Sequence, residues 1–586
     1  MTRSIRASRG FAILGAVVAV AAVAACSSSA SPGQASHGHY GGTLYMLGTG
    51  DVDYMDPNVS FYTVGDENLR MWERPLMAYP AVAGKTTTLE PDLAEAAPVV
   101  SDNGLEYSFT IRKGVDWNTS PPRQVVAADI VRGLERACNP EKPSAGASEY
   151  EGLIVGLTTY CTDFEKVTPT LSAIDSFMKT HSIPGAYVDP SNPLTVVFKL
   201  THPAVYFPAV TAAYSSFLAA PVEYQNYLPA SAALAQHTIS DGPYEIQSYD
   251  PGKSIVYVRN PVWKASTDPI SKAYVDKIVV NETISPQTVQ EELQANSPTA
   301  NLYWGDTQVP TADVPQLSAS HSPGLVLGPT DGLNPFLIFN FADPNDGGAF
   351  KNLQVRQGIL DAIDRSALIQ DSGGPQLAPS LTQLVPGGVS SSTPITSYSY
   401  DPAKAKQLLG GKHLTLKLLY QASDPVQAKI FQTIQYDLSQ VGVTVTGLGV
   451  PTADIYTKYL LVPSVAKSGV WDMSEDQLFP TWYGPSFEPT WLFAILDTAA
   501  EAPDGANLAL YSNPTVDKLI SEALSATSES ALEQLSAQAD AIAMSQAVAY
   551  PIDSPSFATY YSSRVHNAVF VPSIQAIDPT NVWLSQ

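Results

Sequence analysis

The chain has 586 residues, with 32 basic and 56 acidic side chains and a formal net charge of −24. This acidity argues against nucleic-acid binding, because phosphate backbones are held by clustered lysine and arginine. Hydrophobic residues make up 44% of the chain and charged residues 15%, which is typical of a folded globular protein. A chain of this length is too long to fold around a single hydrophobic core, so we expect two or three domains.

The amino-terminal segment has the layout of a secretory signal. Arg3, Arg6 and Arg9 precede an uncharged run of 15 residues over 11–25. This run is shorter than the roughly 20 residues that span a bilayer as a helix. No second long apolar run follows it. The sequence therefore predicts an exported protein, with a signal peptide at 1–25 and no membrane-spanning helix in the remainder.

Residues 23–26, which read Val, Ala, Ala and Cys, resemble the lipobox of bacterial lipoproteins. The resemblance implies cleavage before Cys26 and attachment of a lipid to its sulfur. An ordinary signal peptide with an incidental cysteine is the alternative. Residues 26–39 are rich in Ser, Ala, Gly and His, and we interpret them as a flexible tether. His37 and His39 are more simply part of this linker than metal ligands, and we predict no metal site.

The other two cysteines are Cys138 and Cys161, 23 positions apart. In an exported chain this pair favours a disulfide, which could contribute about 3 kcal/mol by closing the loop. Two buried free thiols are the alternative. A metal site is disfavoured because no histidine lies near either cysteine.

The first part of the mature chain shows clear local patterns. Residues 43–47 predict a first strand, and apolar residues at helical spacing predict a helix over 67–79. Asp, Asn and Gly within 101–104 predict a hairpin turn, and residues 107–111 alternate as a strand does. Residues 125–134 predict the next helix.

Several of these segments resemble the family 5 extracellular solute-binding proteins, which include the oligopeptide- and dipeptide-binding proteins of ABC importers. The hairpin and strand SDNGLEYSFTIRKGVDWN and the helix VVAADIVRGLER are similar to the family's signature region, although Pro121 and Pro122 alter the loop between them. Further matches follow in the family's order: DGPYEI at 241–246, FKNLQVRQGILDAIDRSAL at 350–368 and YDPAKA at 400–405. The resemblance covers nearly the whole mature chain.

The resemblance implies an α/β, periplasmic-binding-protein-like fold of type II in its three-domain variant, with two lobes, a hinge and a ligand cleft between the lobes. It implies a discontinuous domain I made of 40–84, 238–330 and 553–586. Domain II would be 85–237 and domain III 331–552. Gly, Pro and Asp within 328–335 interrupt the pattern just before a predicted strand, as expected of a hinge crossing.

The resemblance also implies ligand contacts. The run Glu488, Pro489 and Thr490 fixes the register of the family's cleft segment, in which Trp482 is the wall residue. In that register Pro485 occupies the position where oligopeptide binders have an amine-binding Asp, and Glu475, Asp476 or Glu488 could replace it. The predicted ligand-binding residues are Phe61, Tyr62, Tyr303, Trp304, Asn340, Trp482, Tyr483 and Glu488. For each aromatic residue among them, core packing is the alternative.

The sequence contains no H-E-x-x-H motif and no G-x-S-x-G elbow, and Gln247 replaces the first glycine of a phosphate loop that would end at Ser254. We therefore predict no catalytic residues and no cofactor. The resemblance implies a monomeric lipoprotein on the outer face of the bacterial cytoplasmic membrane, which captures a solute, peptides by default, for an ABC permease. The alternatives are an exported hydrolase and a surface interaction lipoprotein without a transport role. The cleft distinguishes these three possibilities. A solute-binding protein would have an open, aromatic cleft, and a hydrolase would have acid and base groups in it. A surface interaction protein would have a cleft filled by side chains.

Overall fold

In the computed structural model, the described residues run from 38 to 585, except 331, 388, 390–397, 452–453 and 503–504. Cys26, the predicted signal peptide and residues 26–37 of the predicted tether lie outside the described residues. None of the described helices is both long and apolar enough to cross a membrane.

The described residues form a mixed α/β structure, which confirms the predicted fold class. The strands are β1 Thr43–Gly48, β2 Met77–Ala78, β3 Glu90–Pro91, β4 Val99–Ser101, β5 Glu106–Thr110, β6 Asp116–Trp117, β7 Arg123–Gln124, β8 Ala186–Val188, β9 Thr195–Lys199, β10 Tyr244–Asp250, β11 Ser254–Arg259, β12 Lys277–Asn281, β13 Leu302–Trp304, β14 Leu325–Thr330, β15 Leu333–Phe339, β16 Thr415–Gln421, β17 Thr444–Val450, β18 Met473–Leu478, β19 Ala549–Pro551, β20 Ser556–Tyr560, β21 Val565–His566, β22 Phe570–Val571, β23 Ala576–Ile577 and β24 Trp583–Leu584. The α-helices are α1 Thr63–Trp72, α2 Ala127–Ala137, α3 Leu157–Phe164, α4 Leu171–Thr180, α5 Phe207–Ala213, α6 Ala232–Ala235, α7 Pro286–Gln294, α8 Val314–Ala319, α9 Leu353–Ala362, α10 Arg365–Asp371, α11 Pro402–Leu409, α12 Pro425–Ser439, α13 Pro463–Lys467, α14 Glu488–Leu496, α15 Pro514–Leu524 and α16 Glu529–Ser545.

The first sheet has the strand order β10-β11-β12-β1-β13. Strand β1 runs parallel to β12 and β13, with Met46 opposite both Val280 and Leu302. Leu44 and Met46 are fully buried, so one face of the central strand packs into the core, as its period-two pattern requires. Because β1 ends beside β13, the loops that follow both strands lie at the same edge of the sheet.

Helix α1 lies close to that edge and differs from the predicted 67–79. It begins at Thr63 and ends at Trp72. The early end follows from Pro75, because proline disfavours helical geometry in the residue before it and cannot donate a backbone hydrogen bond. The earlier start places Asp66 in the first turn of the helix.

The second sheet has the order β4-β5-β9-β8 and is antiparallel throughout. The predicted hairpin turn at 101–104 is confirmed, with Asn103 and Gly104 both at positive φ. A disulfide joins Cys138, just after α2, to Cys161 in α3. The predicted cysteine pair is thus confirmed over the alternative of free thiols.

The third sheet has the order β17-β16-β18-β15-β19. Strands β17, β16 and β18 are parallel neighbours, whereas β15 runs antiparallel to β18 and β19. The chain enters this sheet directly from β14 and leaves it from β19 toward β20, and β14 pairs with β20. Two chain crossings therefore lie side by side at the position of the predicted hinge, and the domain boundaries themselves stay a prediction.

Candidate functional site

A cavity of about 470 Å³ lies where six segments of the chain meet. We call it the main cavity. Its walls are the loop before α1 with the first turn of that helix, the end of α5 with the residues after it, the loop after β18, the loop between β22 and β23, Ser144 between α2 and α3, and Asp306 in the loop after β13. The lining residues are Ser60, Phe61, Tyr62, Thr63, Asp66, Ser144, Ala213, Tyr214, Ser215, Asp306, Pro480, Thr481, Tyr483, Pro572, Ser573 and Gln575.

The loop before α1 is held by the carboxylate of Asp53. The backbone N–H groups of Phe61 and Tyr62 donate to Asp53 Oδ2 at 2.6 and 3.2 Å, and Ser60 Oγ donates to Oδ1 at 2.7 Å. Gly65 follows in α1, where a Cβ atom would clash with Ser60 Oγ. The fixed backbone presents two aromatic rings to the cavity, with Phe61 38% and Tyr62 63% exposed.

The wall after β18 is bonded to Tyr79, which directly follows β2. Tyr79 Oη donates to the carbonyl of Tyr483 and accepts from its backbone N–H, both at 3.2 Å. The rings of Tyr79 and Tyr483 also meet edge to face, with centroids 6.2 Å apart. These contacts fix the segment that carries Tyr483 against the residues after β2.

Trp482 lies immediately behind this wall, at a junction of aromatic rings. It is 2% exposed, stacks on Tyr206 at 5.9 Å and meets Phe487 edge to face at 4.5 Å. Its ring also meets Tyr214 at 6.5 Å. These contacts join the loop after β18 to residues on either side of α5, so the ring braces the cavity wall.

A smaller recess of about 70 Å³ adjoins the main cavity and shares six lining residues with it. Glu73 lines the recess, and its buried carboxyl is hydrogen-bonded to the buried carboxyl of Asp241. Burial raises the pKa of Glu73 well above its usual range, and the neighbouring Asp241 raises it further. Arg70 also lines the recess, but it is paired with Asp578.

The charged side chains that line the main cavity are both acidic. Burial raises the pKa of Asp66 well above its usual range, and Asp53 adds to this effect. Burial also raises the pKa of Asp306. Across the described part of the chain, no lysine, arginine or histidine lines this cavity. The main cavity is therefore a site of negative potential once these carboxyls ionise.

A third space of about 660 Å³, here called the aromatic cavity, shares Thr481 with the main cavity. Its walls are mainly apolar and include Tyr456, Phe487, Trp491 and Phe493. Glu149 also lines it and accepts a hydrogen bond at 2.5 Å from the hydroxyl of Tyr214, a main-cavity residue. Burial raises the pKa of Glu149. The Tyr214–Glu149 pair thus stands between the two spaces.

The structure brings part of the predicted site together. Phe61, Tyr62 and Tyr483 line the main cavity, and Trp482 lies behind its wall. Four predicted contacts do not line this cavity and are buried elsewhere: Tyr303, Trp304, Asn340 and Glu488.

Structural hydrogen bonds engage the side chains of Tyr303, Trp304 and Asn340. Tyr303 Oη donates to Gln290 at 2.8 Å, and Trp304 Nε1 donates to the carbonyl of Gly50 at 3.3 Å. Asn340 Nδ2 donates to two backbone carbonyls, at 2.8 and 2.9 Å. The lining of the main cavity does not support a ligand-binding role for these three residues or for Glu488. That role stays a prediction.

Sequence reasoning missed Asp66, Asp306, Glu73 and Tyr214. Asp306 lies two residues after Trp304, which the family resemblance singles out. Asp66 carries a weaker signal, as an acidic residue in the first turn of a helix that follows a strand and a loop. Glu73 and Tyr214 belong to no recognisable sequence motif, and only the fold brings Tyr214 to the main cavity and Glu73 to its recess.

The described α/β structure therefore encloses a polar and aromatic cavity between segments of separate sheets. The sequence model described as bacterial extracellular solute-binding proteins, family 5 Middle, matches residues 88–500. The chain belongs to this family. The predicted periplasmic-binding-protein-like fold is thereby confirmed.

The chain is similar to two curated proteins in sequence and to a solved structure in fold. The chain is 25% identical over 486 residues to heme-binding protein A of Haemophilus influenzae, covering 80% of this chain and 79% of that protein. It is 26% identical over 517 residues to the dipeptide-binding protein of Escherichia coli, covering 83% and 82%. The solved structure of clavulanic acid biosynthesis oligopeptide binding protein 2 superposes with a TM-score of 0.81 at 21% identity, covering 94% of this chain and 96% of that one.

Proposed function

We propose that this protein is the substrate-binding lipoprotein of an ABC importer and captures a peptide or peptide-like solute in the main cavity. The observation that carries the proposal is the enclosure of this cavity by segments around residues 62, 214, 306 and 482, which belong to different parts of the fold. Membership of a solute-binding family supports the binding role. A relative named as a dipeptide-binding protein supports the class of solute.

The lining of the main cavity favours binding over the hydrolase alternative. Within the described residues, its lining holds no histidine or cysteine, which argues against a Ser–His or Cys–His hydrolase and leaves Asp66 and Asp306 as the groups that a carboxylate-based hydrolase would use. Serine hydroxyls are present, but no imidazole stands beside them to activate one. A volume of about 470 Å³ also argues against a cleft blocked by side chains, because it lies in the range of small-molecule sites.

Capture would proceed by closure of two lobes about the adjacent crossings β14–β15 and β19–β20. In this proposal domain I is 40–84, 238–330 and 553–586, domain II is 85–237, and domain III is 331–552. The contacts of Tyr79 with Tyr483 and of Tyr206 with Trp482 would then join domain III to the rest of the chain in the closed state. Hinged closure of this kind is a common route by which two-lobed proteins enclose a ligand.

The first experiment is native mass spectrometry of the mature protein purified from its own host. We expect one small solute for each protein molecule and a fragmentation pattern that contains amide-linked residues. Conversion of that solute to a product by the purified protein would contradict the binding role and favour a hydrolase. A bound solute without amide bonds would overturn the peptide assignment alone.

The lipid anchor is a separate part of the proposal. A lipid on Cys26 would hold the monomer beside the membrane permease to which it delivers its solute, while separate subunits hydrolyse ATP. We expect Cys26→Ser to release the protein from the membrane fraction into the medium, whereas Ser28→Ala, two residues away, should leave it membrane-bound. Retention of the Cys26→Ser protein in washed membranes would contradict the proposed lipid anchor.

A further inference from the structure

The hydroxyl of Tyr79 pairs both backbone polar groups of Tyr483. Its Oη atom donates to the carbonyl of Tyr483 and accepts from the N–H group of the same residue, although 404 positions separate the two residues in the chain. Tyr483 is buried and lies outside any helix or strand, so its backbone groups need partners from elsewhere. One side chain therefore fixes the backbone of a residue that lines the main cavity.

Tyr79 is itself held firmly at its backbone. It directly follows β2, which pairs with β3. Arg70 of α1 donates from Nη2 to the carbonyl of Tyr79 at 3.1 Å, and the same nitrogen is bonded to Asp578 Oδ2 at 2.6 Å. These three residues fall in predicted domain I, whereas Tyr483 falls in predicted domain III. The Tyr79 hydroxyl is thus a fixed point of one predicted lobe, to which a loop of the other predicted lobe is bonded.

The neighbouring residue of the same loop contacts the third predicted domain. Trp482 stacks on Tyr206 with ring centroids 5.9 Å apart and meets Tyr214 at 6.5 Å, and both tyrosines fall in predicted domain II. Tyr79, Trp482 and Tyr483 belong to one continuous cluster of buried apolar side chains. Two consecutive residues of the loop after β18 therefore connect predicted domain III to the other two predicted domains.

Tyr79 is not placed to contact a solute in the main cavity. It does not line that cavity and is 3% exposed. It does line the recess, whose volume of about 70 Å³ is well below the roughly 300 Å³ at which small-molecule sites begin. An effect of Tyr79 on binding must therefore act through the position of Tyr483.

We infer that Tyr79 is a positioning residue, whose contact with Tyr483 sets the balance between the open and closed arrangements of the two lobes. The contact exists where the loop after β18 lies against the residues after β2, so it stabilises the closed arrangement alone. In the open arrangement water pairs the freed backbone groups of Tyr483, which keeps the contact reversible. This inference rests on the proposed function, since it assumes hinged closure. It goes beyond that function, because a contact with the backbone favours closure around any solute.

The test measures the distance between two spin labels by pulsed electron paramagnetic resonance. The labels are attached at Val99→Cys on β4 and Tyr436→Cys on α12, which are exposed positions in predicted domains II and III. The mature Cys26→Ser chain is measured as purified, and again after its solute has been removed by unfolding and refolding with the disulfide intact. Tyr79→Phe keeps the ring and removes the hydroxyl. We expect it to lower the closed-to-open ratio roughly tenfold in at least one of these two forms.

Tyr107→Phe is the matched control. Tyr107 is as buried as Tyr79, and its Oη atom donates to the carbonyl of Ala204 at 2.8 Å, within predicted domain II. This variant also loses a buried hydroxyl bond, so both variants should unfold at a lower denaturant concentration than the wild-type protein. Because the bond of Tyr107 is the same in the open and closed arrangements, its loss should leave the label distances unchanged.

A shift confined to Tyr79→Phe supports the inference. Two arrangements in the same ratio in the wild-type protein and in Tyr79→Phe would overturn it and leave hinged closure standing. An equal shift in Tyr107→Phe would also overturn it, because general destabilisation would then account for the change. One distance shared by all three proteins, before and after solute removal, would overturn the inference and contradict hinged closure itself.

Discussion

The main cavity and the aromatic cavity share Thr481 but differ in the chemistry of their walls. The main cavity presents Asp66, Asp306 and hydroxyl groups beside its aromatic rings. The aromatic cavity is larger, at about 660 against 470 Å³, and its walls are mostly apolar, although Glu149 and Asp476 also line it. Polar groups that are few and fixed give orientation and specificity, whereas apolar walls give affinity with little discrimination.

We propose that the two cavities bind different parts of the same solute. The main cavity would recognise a charged end, and the aromatic cavity would accommodate an apolar portion of the same solute. Trp482 contacts Tyr214 of the main cavity and Phe487 of the aromatic cavity, and the Tyr214–Glu149 hydrogen bond also joins the two walls.

The largest effect is expected from Trp482→Ala, which removes the ring between the two cavities. Loss of a buried tryptophan should lower the free energy of unfolding by roughly 3–5 kcal/mol, measured by denaturant titration. Binding should weaken as well, because the wall that carries Tyr483 loses its support.

Trp263→Ala is the control for this variant. Trp263 is partly buried and donates to Asp268 at 2.9 Å, and it lines neither cavity. Its removal should lower stability without changing affinity for a bound solute. Equal loss of affinity in the two variants would show that Trp482 acts through global stability and not through the cavity wall.

The next effect separates the two cavities by charge. Asp306→Asn should weaken cationic solutes by about ten- to a hundredfold and leave neutral apolar solutes unchanged, because only the former lose a charge-assisted contact. Phe493→Ala, in the aromatic cavity, should do the reverse. The measurement is isothermal titration with matched amine and neutral probes. Parallel losses in both variants would contradict the division between the cavities.

The fold could be predicted from the sequence because several motifs appear in the family's order, and each motif is a local pattern of turns, strands and helices. The pairing of Cys138 with Cys161 was accessible for a similar reason, since both lie in one short stretch. At the site, sequence found the rings of Tyr62 and Tyr483, which stand in segments that match the family. It also proposed Trp304, whose indole instead bonds the carbonyl of Gly50 in the interior.

The acidic residues of the main cavity could not be found in this way. The chain has 56 acidic side chains, and no spacing distinguishes Asp66 or Glu73 from the solvated majority. Their role depends on which segments approach one another, because Glu73 and Thr481 meet at one recess although about 400 residues separate them in the chain. Tertiary packing determines such proximity, and no periodic pattern in the sequence predicts it.

A moderate effect is expected at the rim of the main cavity. Tyr62→Ala should weaken a cationic solute roughly three- to tenfold through loss of a ring face, with little change in stability. Tyr436→Ala is a closely matched control, since Tyr436 is 65% exposed against 63% for Tyr62 but lies on α12, away from both cavities. Calorimetric titration of the two variants should separate them. Identical affinities would remove Tyr62 from the site.

The smallest effect concerns pH. Burial raises the pKa of Asp476, in the wall of the aromatic cavity, to about 6. The folded protein then binds this proton more tightly than the unfolded chain, whose aspartates titrate near pH 4, so the free energy of unfolding should fall as pH rises from about 4 to 6. Asp476→Asn should reduce that slope in denaturant titrations across this range. An unchanged slope would contradict the assignment.

In the main cavity, raised carboxyl pKa values affect ligand affinity. A rise in pH should increase this affinity, whereas it lowers the free energy of unfolding at Asp476. Because burial raises the pKa of Asp66 and Asp306, affinity for a cation should increase as pH rises above the usual aspartate range and the carboxyls ionise.

The most direct measurement is a crystal structure of the protein with the solute that co-purifies with it. The account predicts density in the main cavity, enclosed by the rings of Tyr62 and Tyr483, with a cationic group within hydrogen-bonding distance of Asp66 or Asp306. Density confined to the aromatic cavity, or a solute carboxylate facing these two side chains, would contradict it.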